Sequence, residues 1–555
     1  MKRKPRQLTD KEFDVLVIGG GIYGAFIAWD AVLRGLSVAM IEKGDFGHAT
    51  SANSLKIIHG GLRCLQQGDI LRMRRLQNEQ QAFIKIAPHL VRPIPFIIPT
   101  YNRSLYSSES FKIAFKLRKL LSRSCVTSLN NQQDLLHGHF LSREEMLYVF
   151  PKIPDANLTG SAVFYDCLLH HPERLLLSVL HSAVNQGAEI SNYIDVASVL
   201  LKKDRATGVR AIDLLSKNEF DIKARMVVNA TGPWINRIIQ LIDGHPVYFP
   251  MARGINLVID HQIIKDYAIG MPDTDSHGIK NLLQKKSRLF FIIPWHCYSL
   301  IGSHYIPCKQ INDDCSVTES EINQFLTIIN KASGLGLKRE NVLWAYSGYV
   351  SIATNKSGRI NRTQKKQIFD HRKTDHIDGI ISVFGMKYTE ARYKAQKVVD
   401  LVFKKLGRTS PPCLTAVTPV HGGDMTDMDS YIAEKNTYLS SRLNSEEIHY
   451  LISNYGTRYP EILRYLPAGR QNSPLDPMDI AEIYHSADQE MAVKLQDVMF
   501  RRTLRPFVSE KRFCYRAYGD SMARILGWDN HRQQCEIQGL KDILGRRSNY
   551  ETDFS

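Results

Sequence analysis

Nowhere in its 555 residues does the chain carry an apolar run approaching the roughly 20 residues that a bilayer span needs, so no transmembrane helix is expected. Residues 1–11 are basic and polar and lack an apolar signal core, which predicts a protein made and kept in the cytosol. The nine cysteines include no Cys-x-x-Cys pair and are odd in number. A disulfide framework and a metal site are therefore not expected, and most of these cysteines should be small buried hydrophobes. Zinc-finger spacing, RNA-recognition motifs, long Lys/Arg blocks, internal repeats and low-complexity tracts are missing too, so no nucleic-acid partner is expected. Acidic residues are outnumbered, 56 against 72 basic ones, for a net charge of +16. Such a surface suits an anionic partner, a phosphate substrate or an anionic lipid, although an ordinary solvated basic surface has the same composition. What is present is 43% hydrophobic sequence, enough for a large core, at a length that predicts two or three domains.

The N-terminal region reads as one βαβ unit. Phe13–Ile18 is a buried strand, Gly19-Gly20-Gly21-Ile22-Tyr23-Gly24 a glycine turn, Ala25–Arg34 a helix and Ser37–Ile41 a second strand closed by Glu42. In this setting Gly19 permits the turn, Gly21 lets backbone approach a pyrophosphate, and Gly24 lets helix and strand pack closely. The helix N-terminus supplies N–H groups and a positive dipole, and Glu42 would accept hydrogen bonds from the adenosine ribose. The expected cofactor is FAD. Residues 49–63, dense in hydroxyls, glycine and cations, can wrap a pyrophosphate with Thr50, Ser51, Ser54 and His59, but equally fit an ordinary polar loop. Strand 226–230 runs into Thr231 and Gly232, where Ala230 and Gly232 let backbone approach a flat cofactor or simply make a tight turn. Strand 380–384 runs into Gly385, Lys387 and Thr389 ahead of a helix over 389–405. A lysine and a helix N-terminus at that edge would stabilise the negative charge of a reduced flavin, unless the lysine is only a solvated one.

Short strands over 254–259, 289–295 and 300–302 predict a sheet roofing the cofactor. Residues 409–423 read as a linker, followed by helices in which Asn444 and Glu447 form a capping box. Residues 111–125 read as a basic amphipathic helix with Lys112, Lys116, Lys119 and Arg123 on one stripe. It would suit an anionic membrane surface or pack as a surface helix on the core.

These residues carry a family. The runs Ile58-His59-Gly60-Gly61-Leu62-Arg63, Asn229-Ala230-Thr231-Gly232-Pro233-Trp234, Tyr346-Ser347-Gly348 and Val383-Phe384-Gly385 with Lys387, Thr389 and Arg392 resemble the FAD-dependent glycerol-3-phosphate dehydrogenases. These belong to the wider D-amino-acid-oxidase-like flavoproteins. Arg501-Arg502-Thr503 resembles part of that family's helical C-terminal domain. The resemblance runs over nearly the whole chain. It implies an α/β fold: a Rossmann-type FAD-binding domain with an inserted mixed-sheet substrate domain over 1–410, and an α-helical C-terminal domain over 411–555. It also implies oxidation of sn-glycerol 3-phosphate to dihydroxyacetone phosphate, with hydride passed to flavin N5 and electrons to quinone. Arg63, Arg362 and Lys387 would face a small anionic substrate. The basic helix would hold the protein at the inner face of a membrane, and a homodimer is among the assemblies compatible with it.

Four departures fall on the substrate side. Cys64 stands where the family has tyrosine, Val350 (followed by Ser351) where it has an arginine and proline, and Asn256 where it has histidine. Gly302-Ser303-His304-Tyr305 replaces a Gly-Thr-Thr-Asp motif. His304 is the candidate to compensate. The split between intact cofactor motifs and altered substrate motifs leaves two further readings. One is a dehydrogenase of the same fold for a different hydroxyl or amine substrate; the other is a flavin-binding protein that has lost turnover.

Overall fold

The computed structural model describes residues 1–62, 64, 69–102, 107–109, 111–113, 115–116, 138–272, 289–313, 315–351, 367–385, 387–467, 473–503 and 515–547. Strand Phe13–Ile18 pairs in parallel with Val38–Ile41 on one side and Glu219–Asn229 on the other. Glu189–Ser191 and Ile380–Val383 extend this parallel core outward, and Ile368–Asp370 closes one edge antiparallel. The central strands are buried on both faces, which explains their unbroken apolar sequences. Helices Ile22–Leu33, Pro172–Asn185 and Ala391–Leu406 cover one face, with Phe26, Trp29, Leu180 and Val399 in the core between. The first helix begins at Ile22 rather than Ala25, because Gly21 is already its extended N-cap.

The second sheet is largely antiparallel, and among the described residues it runs in the order 342–351, 251–259, 298–308, 289–295, 268–272, 91–101, 158–169 and 57–58. Helix Glu319–Ser333 packs on its outer face through Phe325 and Ile329. Its inner face meets the parallel sheet, and the space between them is the cavity described below.

Residues 409–427 contain neither helix nor strand. They are nonetheless docked: Val420 is fully buried and its N–H donates to the Ile86 carbonyl at 2.9 Å. Helices Met428–Leu439, Ser445–Tyr455 and Pro477–Gln489 follow, then shorter turns and helices Tyr515–Leu526 and Asn530–Arg547. The Asn444–Glu447 capping box forms, and Ile448, Leu451, Ile452 and Tyr455 are buried as their spacing predicts. The cysteines depart from expectation. Of the seven described, Cys64 and Cys167 are buried, while Cys297 and Cys535 are exposed.

Candidate functional site

A cavity of about 1110 Å³ lies between the two sheets. Its floor is the glycine turn. Gly19 has φ +110°, and a Cβ there would stand 2.6 Å from the Ala230 carbonyl oxygen. A Cβ on Gly24 would stand 1.9 Å from the Gly19 oxygen, so helix and strand touch backbone to backbone. At Gly21 the space is open: the one atom within 4 Å of a built Cβ is the Ser51 hydroxyl, at 3.2 Å. Two of the three glycines thus exclude side chains by packing, and the third leaves room for a ligand against the backbone.

Glu42 is buried at the end of the second strand and lines the same cavity. Its carboxylate accepts the Gly20 N–H at 2.6 Å and the Gly44 N–H at 2.7 Å, one per oxygen, leaving lone pairs for ribose hydroxyls. Ser51 accepts the Ile22 N–H at 3.0 Å in the first turn of the helix. Thr50 donates to the Tyr349 carbonyl at 3.2 Å and so ties this loop to the roof. Ser54 accepts the Lys56 N–H, while its carbonyl accepts the Tyr346 hydroxyl. Ala230 and Gly232 border the cavity from the end of strand 219–229, Gly232 with φ +57°. These residues fit a dinucleotide by size, shape and donor set.

At the far end Gly385, Lys387 and Thr389 reach the cavity from strand 380–383. Tyr23, inside the glycine turn, holds this segment: its hydroxyl donates to the Lys387 carbonyl at 2.8 Å, and its ring fills the space a Cβ on Gly385 would need. Lys387 is exposed to the cavity, near Cys64. Burial pushes the Cys64 thiol up, more than Lys387 and Arg72 pull it down. Cys64 is therefore a neutral thiol at neutral pH.

His59 stands between floor and roof. Its Nδ1 lies 3.0 Å from an Asp166 oxygen, and its N–H donates to the Thr389 hydroxyl at 3.1 Å. Asp166 also accepts the Gly60 N–H at 2.6 Å, which fixes the carboxylate. Asp166 was not expected from the sequence; an acid inside the apolar strand Leu158–Leu169 was its signal. A second unexpected pair, Lys56 and Glu173, lies buried on the cavity wall with 3.7 Å between charged atoms. Burial lowers the Lys56 ammonium and raises the Glu173 carboxyl.

The roof carries the departures. Asn256, Ser303, Tyr305 and Val350 line the cavity. Asn256 is buried, and its side-chain oxygen accepts the Ser303 hydroxyl at 2.7 Å. His304 does not join them. Its ring stacks on Phe325 at 5.2 Å, in the outer core beneath helix 319–333. Its candidacy as a compensating group is corrected: strand alternation sends Ser303 and Tyr305 inward and His304 outward. Arg63 and Arg362 lie outside the described residues, as do Lys119 and Arg123 of the basic stripe. Lys112 and Lys116 are exposed, and Phe111 and Phe115, the residue before each, are buried.

Residues 14–387 match the family described as FAD dependent oxidoreductase, and residues 413–533 match the C-terminal domain of alpha-glycerophosphate oxidase. The glycerol-3-phosphate dehydrogenase of Synechocystis sp. is 30% identical over 516 residues, 90% of this chain and 89% of that protein. The mitochondrial glycerol-3-phosphate dehydrogenase of Homo sapiens is 28% identical over 98% of this chain and 74% of its own length. Among solved structures, the fold is similar to that of the glycerol-3-phosphate dehydrogenase from Bacillus halodurans complexed with FAD. The TM-score is 0.78 at 24% identity, covering 97% of this chain and 96% of that one. The L-alpha-glycerophosphate oxidase from Mycoplasma pneumoniae with FAD bound shares the fold over 74% of this chain and 99% of its own, with a TM-score of 0.54 at 17% identity.

Proposed function

Because the chain belongs to the FAD dependent oxidoreductase family, with FAD as its cofactor, we propose that it oxidises sn-glycerol 3-phosphate to dihydroxyacetone phosphate and passes the electrons to quinone. The observation that carries this reading is one continuous cavity holding the dinucleotide floor, the His59–Asp166 pair and Lys387. The glycerol-3-phosphate dehydrogenases matched over 90% and 98% of this chain support the choice of substrate.

FAD, held by the glycine turn, Glu42 and Ser51, would supply the hydride acceptor. The chain's own residues do the rest. A carboxylate can only accept, so Asp166 fixes the proton of His59 on Nδ1 and leaves the Nε2 lone pair to take the substrate hydroxyl proton. Asp166 then stabilises the imidazolium. Lys387 holds the phosphate or the developing oxyanion, and the resemblance adds Arg63 and Arg362 to it. Asn256 has no titrating group and its oxygen is engaged by Ser303, so it cannot take the proton. Val350 offers a phosphate no donor. Turnover of the phosphate ester should therefore be weaker than in ordinary members of the family. Lys112 and Lys116, with the rest of the basic segment at 111–125, support peripheral binding to an anionic membrane; among the described residues no helix is long and apolar enough to cross one.

Val350 favours the second reading, a different small anionic alcohol or an amine as substrate. Anaerobic addition of each candidate to FAD-loaded protein separates the readings through bleaching of the flavin absorbance. Bleaching by sn-glycerol 3-phosphate, with Val350→Arg lowering the concentration needed by roughly tenfold or more, supports the first. Faster bleaching by another compound selects the second, and no bleaching by any compound assigns the protein a binding role.

A further inference from the structure

The cavity has a third wall, contributed by the far end of the chain. Residues Val498–Arg502 form a π-helix, a wide turn that fans successive side chains toward different partners. Phe500 packs on Trp344 of the roof, ring centroids 5.6 Å apart. Arg501 donates from Nε to the Asp45 carboxylate and from Nη2 to Asp497 at 2.6 Å. Arg502 donates to both oxygens of Asp45, at 2.6 and 2.7 Å, and to the Glu490 carbonyl at 2.9 Å. Phe500, Arg501 and the nearby Lys494 border the cavity.

Asp45 belongs to the loop that carries the cofactor floor. Three residues before it is Glu42, and six after it is Ser51. Its neighbour Phe46 lies directly under Gly20, occupying the space a Cβ there would need, and Gly47 donates its N–H to the Gly20 carbonyl at 3.0 Å. The Asp45 carboxylate is completely buried, and Asn192 adds a further donor at 3.2 Å. Burial would raise this carboxyl; Arg502 and Arg501 together overcome burial and hold it below the usual carboxylate range. A buried carboxylate stripped of two guanidiniums is an uncompensated charge, and the loop would have to move to hydrate it.

We infer that Arg501 and Arg502 act through Asp45 as positioning residues for the cofactor loop, so that FAD binding and docking of the C-terminal helices are one coupled equilibrium. Such coupling is reciprocal: whatever docking adds to FAD affinity, FAD adds to docking. Neither the substrate nor the acceptor enters this linkage, so its test stands apart from the proposed reaction.

Hydrogen exchange of the unmodified full chain, with and without FAD, reads the coupling directly. Protection of residues 490–503 should rise together with that of residues 42–52, at the same FAD concentration. Tightening of 42–52 with 490–503 unchanged would overturn the inference. As a second measurement, Asp45→Asn should weaken FAD binding by roughly ten- to a hundredfold in protein of unaltered circular dichroism, read from the fluorescence of released flavin. Unchanged affinity in such a folded variant would also overturn it, and if the variant does not fold, the exchange comparison on the unmodified chain decides.

Discussion

The floor and the roof of the cavity are built from different materials. On the floor, recognition is by backbone: N–H groups of the turn, a left-handed glycine, and Gly24 pressed so close to Gly19 that a methyl group cannot enter. On the roof, recognition is by side chains that alternate along strands whose hydrogen bonds do not depend on them. In the ladder between strands 251–259 and 342–351, Asn256 and Val350 occupy regular positions opposite Tyr346 and Ala252. Change at Gly19 or Gly24 destroys the turn, whereas change at Asn256 or Val350 spares the ladder and alters what the roof can bind. A flavoprotein can therefore keep its cofactor while its substrate side drifts, which is the pattern of intact and altered motifs in this chain.

Breaking the floor should have the largest effect. Gly21→Val fills the one open position of the turn, and the purified protein should lack flavin absorbance altogether. Its melting temperature should also lose the increment that a bound ligand adds by mass action. Stoichiometric FAD in this variant would remove the floor from the cofactor site. Between the walls, His59→Gln should retain FAD but slow flavin reduction by roughly 10²–10⁴-fold, measured by anaerobic stopped flow with whichever substrate bleaches the wild type. A rate within a few-fold of wild type would exclude His59 as the proton acceptor.

Acid should test what lies behind both walls. His89 and His181 are buried and His170 half-buried, and loss of hydration pushes each down to about 3. The unfolded chain, with ordinary histidines near 6.5, binds these protons first, so their stabilising contribution is complete above that pH and is lost as pH falls through it toward 3. The loss is up to about 1.4 kcal/mol per pH unit for each histidine. The melting temperature should be flat above about pH 7 and fall below it; a flat profile down to pH 5 would contradict this assignment. At the far end of the floor sheet Lys387→Ala should have the mildest effect. FAD stays bound and reduction slows by roughly ten- to a hundredfold, the loss of one charge-assisted hydrogen bond. If flavin retention falls instead, Lys387 serves cofactor binding rather than the reaction.

Floor and roof also differed in how far they could be read from the sequence. The strand–turn–helix–strand unit is local, each glycine answering to a neighbour within a few residues or to the adjoining strand, and it appears where its pattern puts it. His59 was legible as part of a polar loop, but not its partner, because Asp166 lies 107 residues away on another strand. The direction of His304 was not legible for a different reason. The pairing skips from Ile255–His304 to Asn256–Gly302, leaving Ser303 as an extra residue, and such a bulge resets which side chains face inward. Arg501 and Arg502 stood out as a motif, yet nothing in a helical pattern announces a π-turn or an aspartate at the other end of the chain.

That last contact sets an order of events. Asp45 and Arg502 are 457 residues apart. On a ribosome that makes the chain from its N-terminus, the loop carrying Asp45 emerges early and must wait for nearly all the remaining sequence before its counter-charge exists. Until then the carboxylate has to stay hydrated, and the nascent chain can hold the glycine turn only in a looser form. By the coupling inferred above, capture of the flavin at full affinity would be a late event of biogenesis, and a chain truncated before residue 501 should bind FAD at least roughly ten- to a hundredfold more weakly even though every residue of the nucleotide floor has been made.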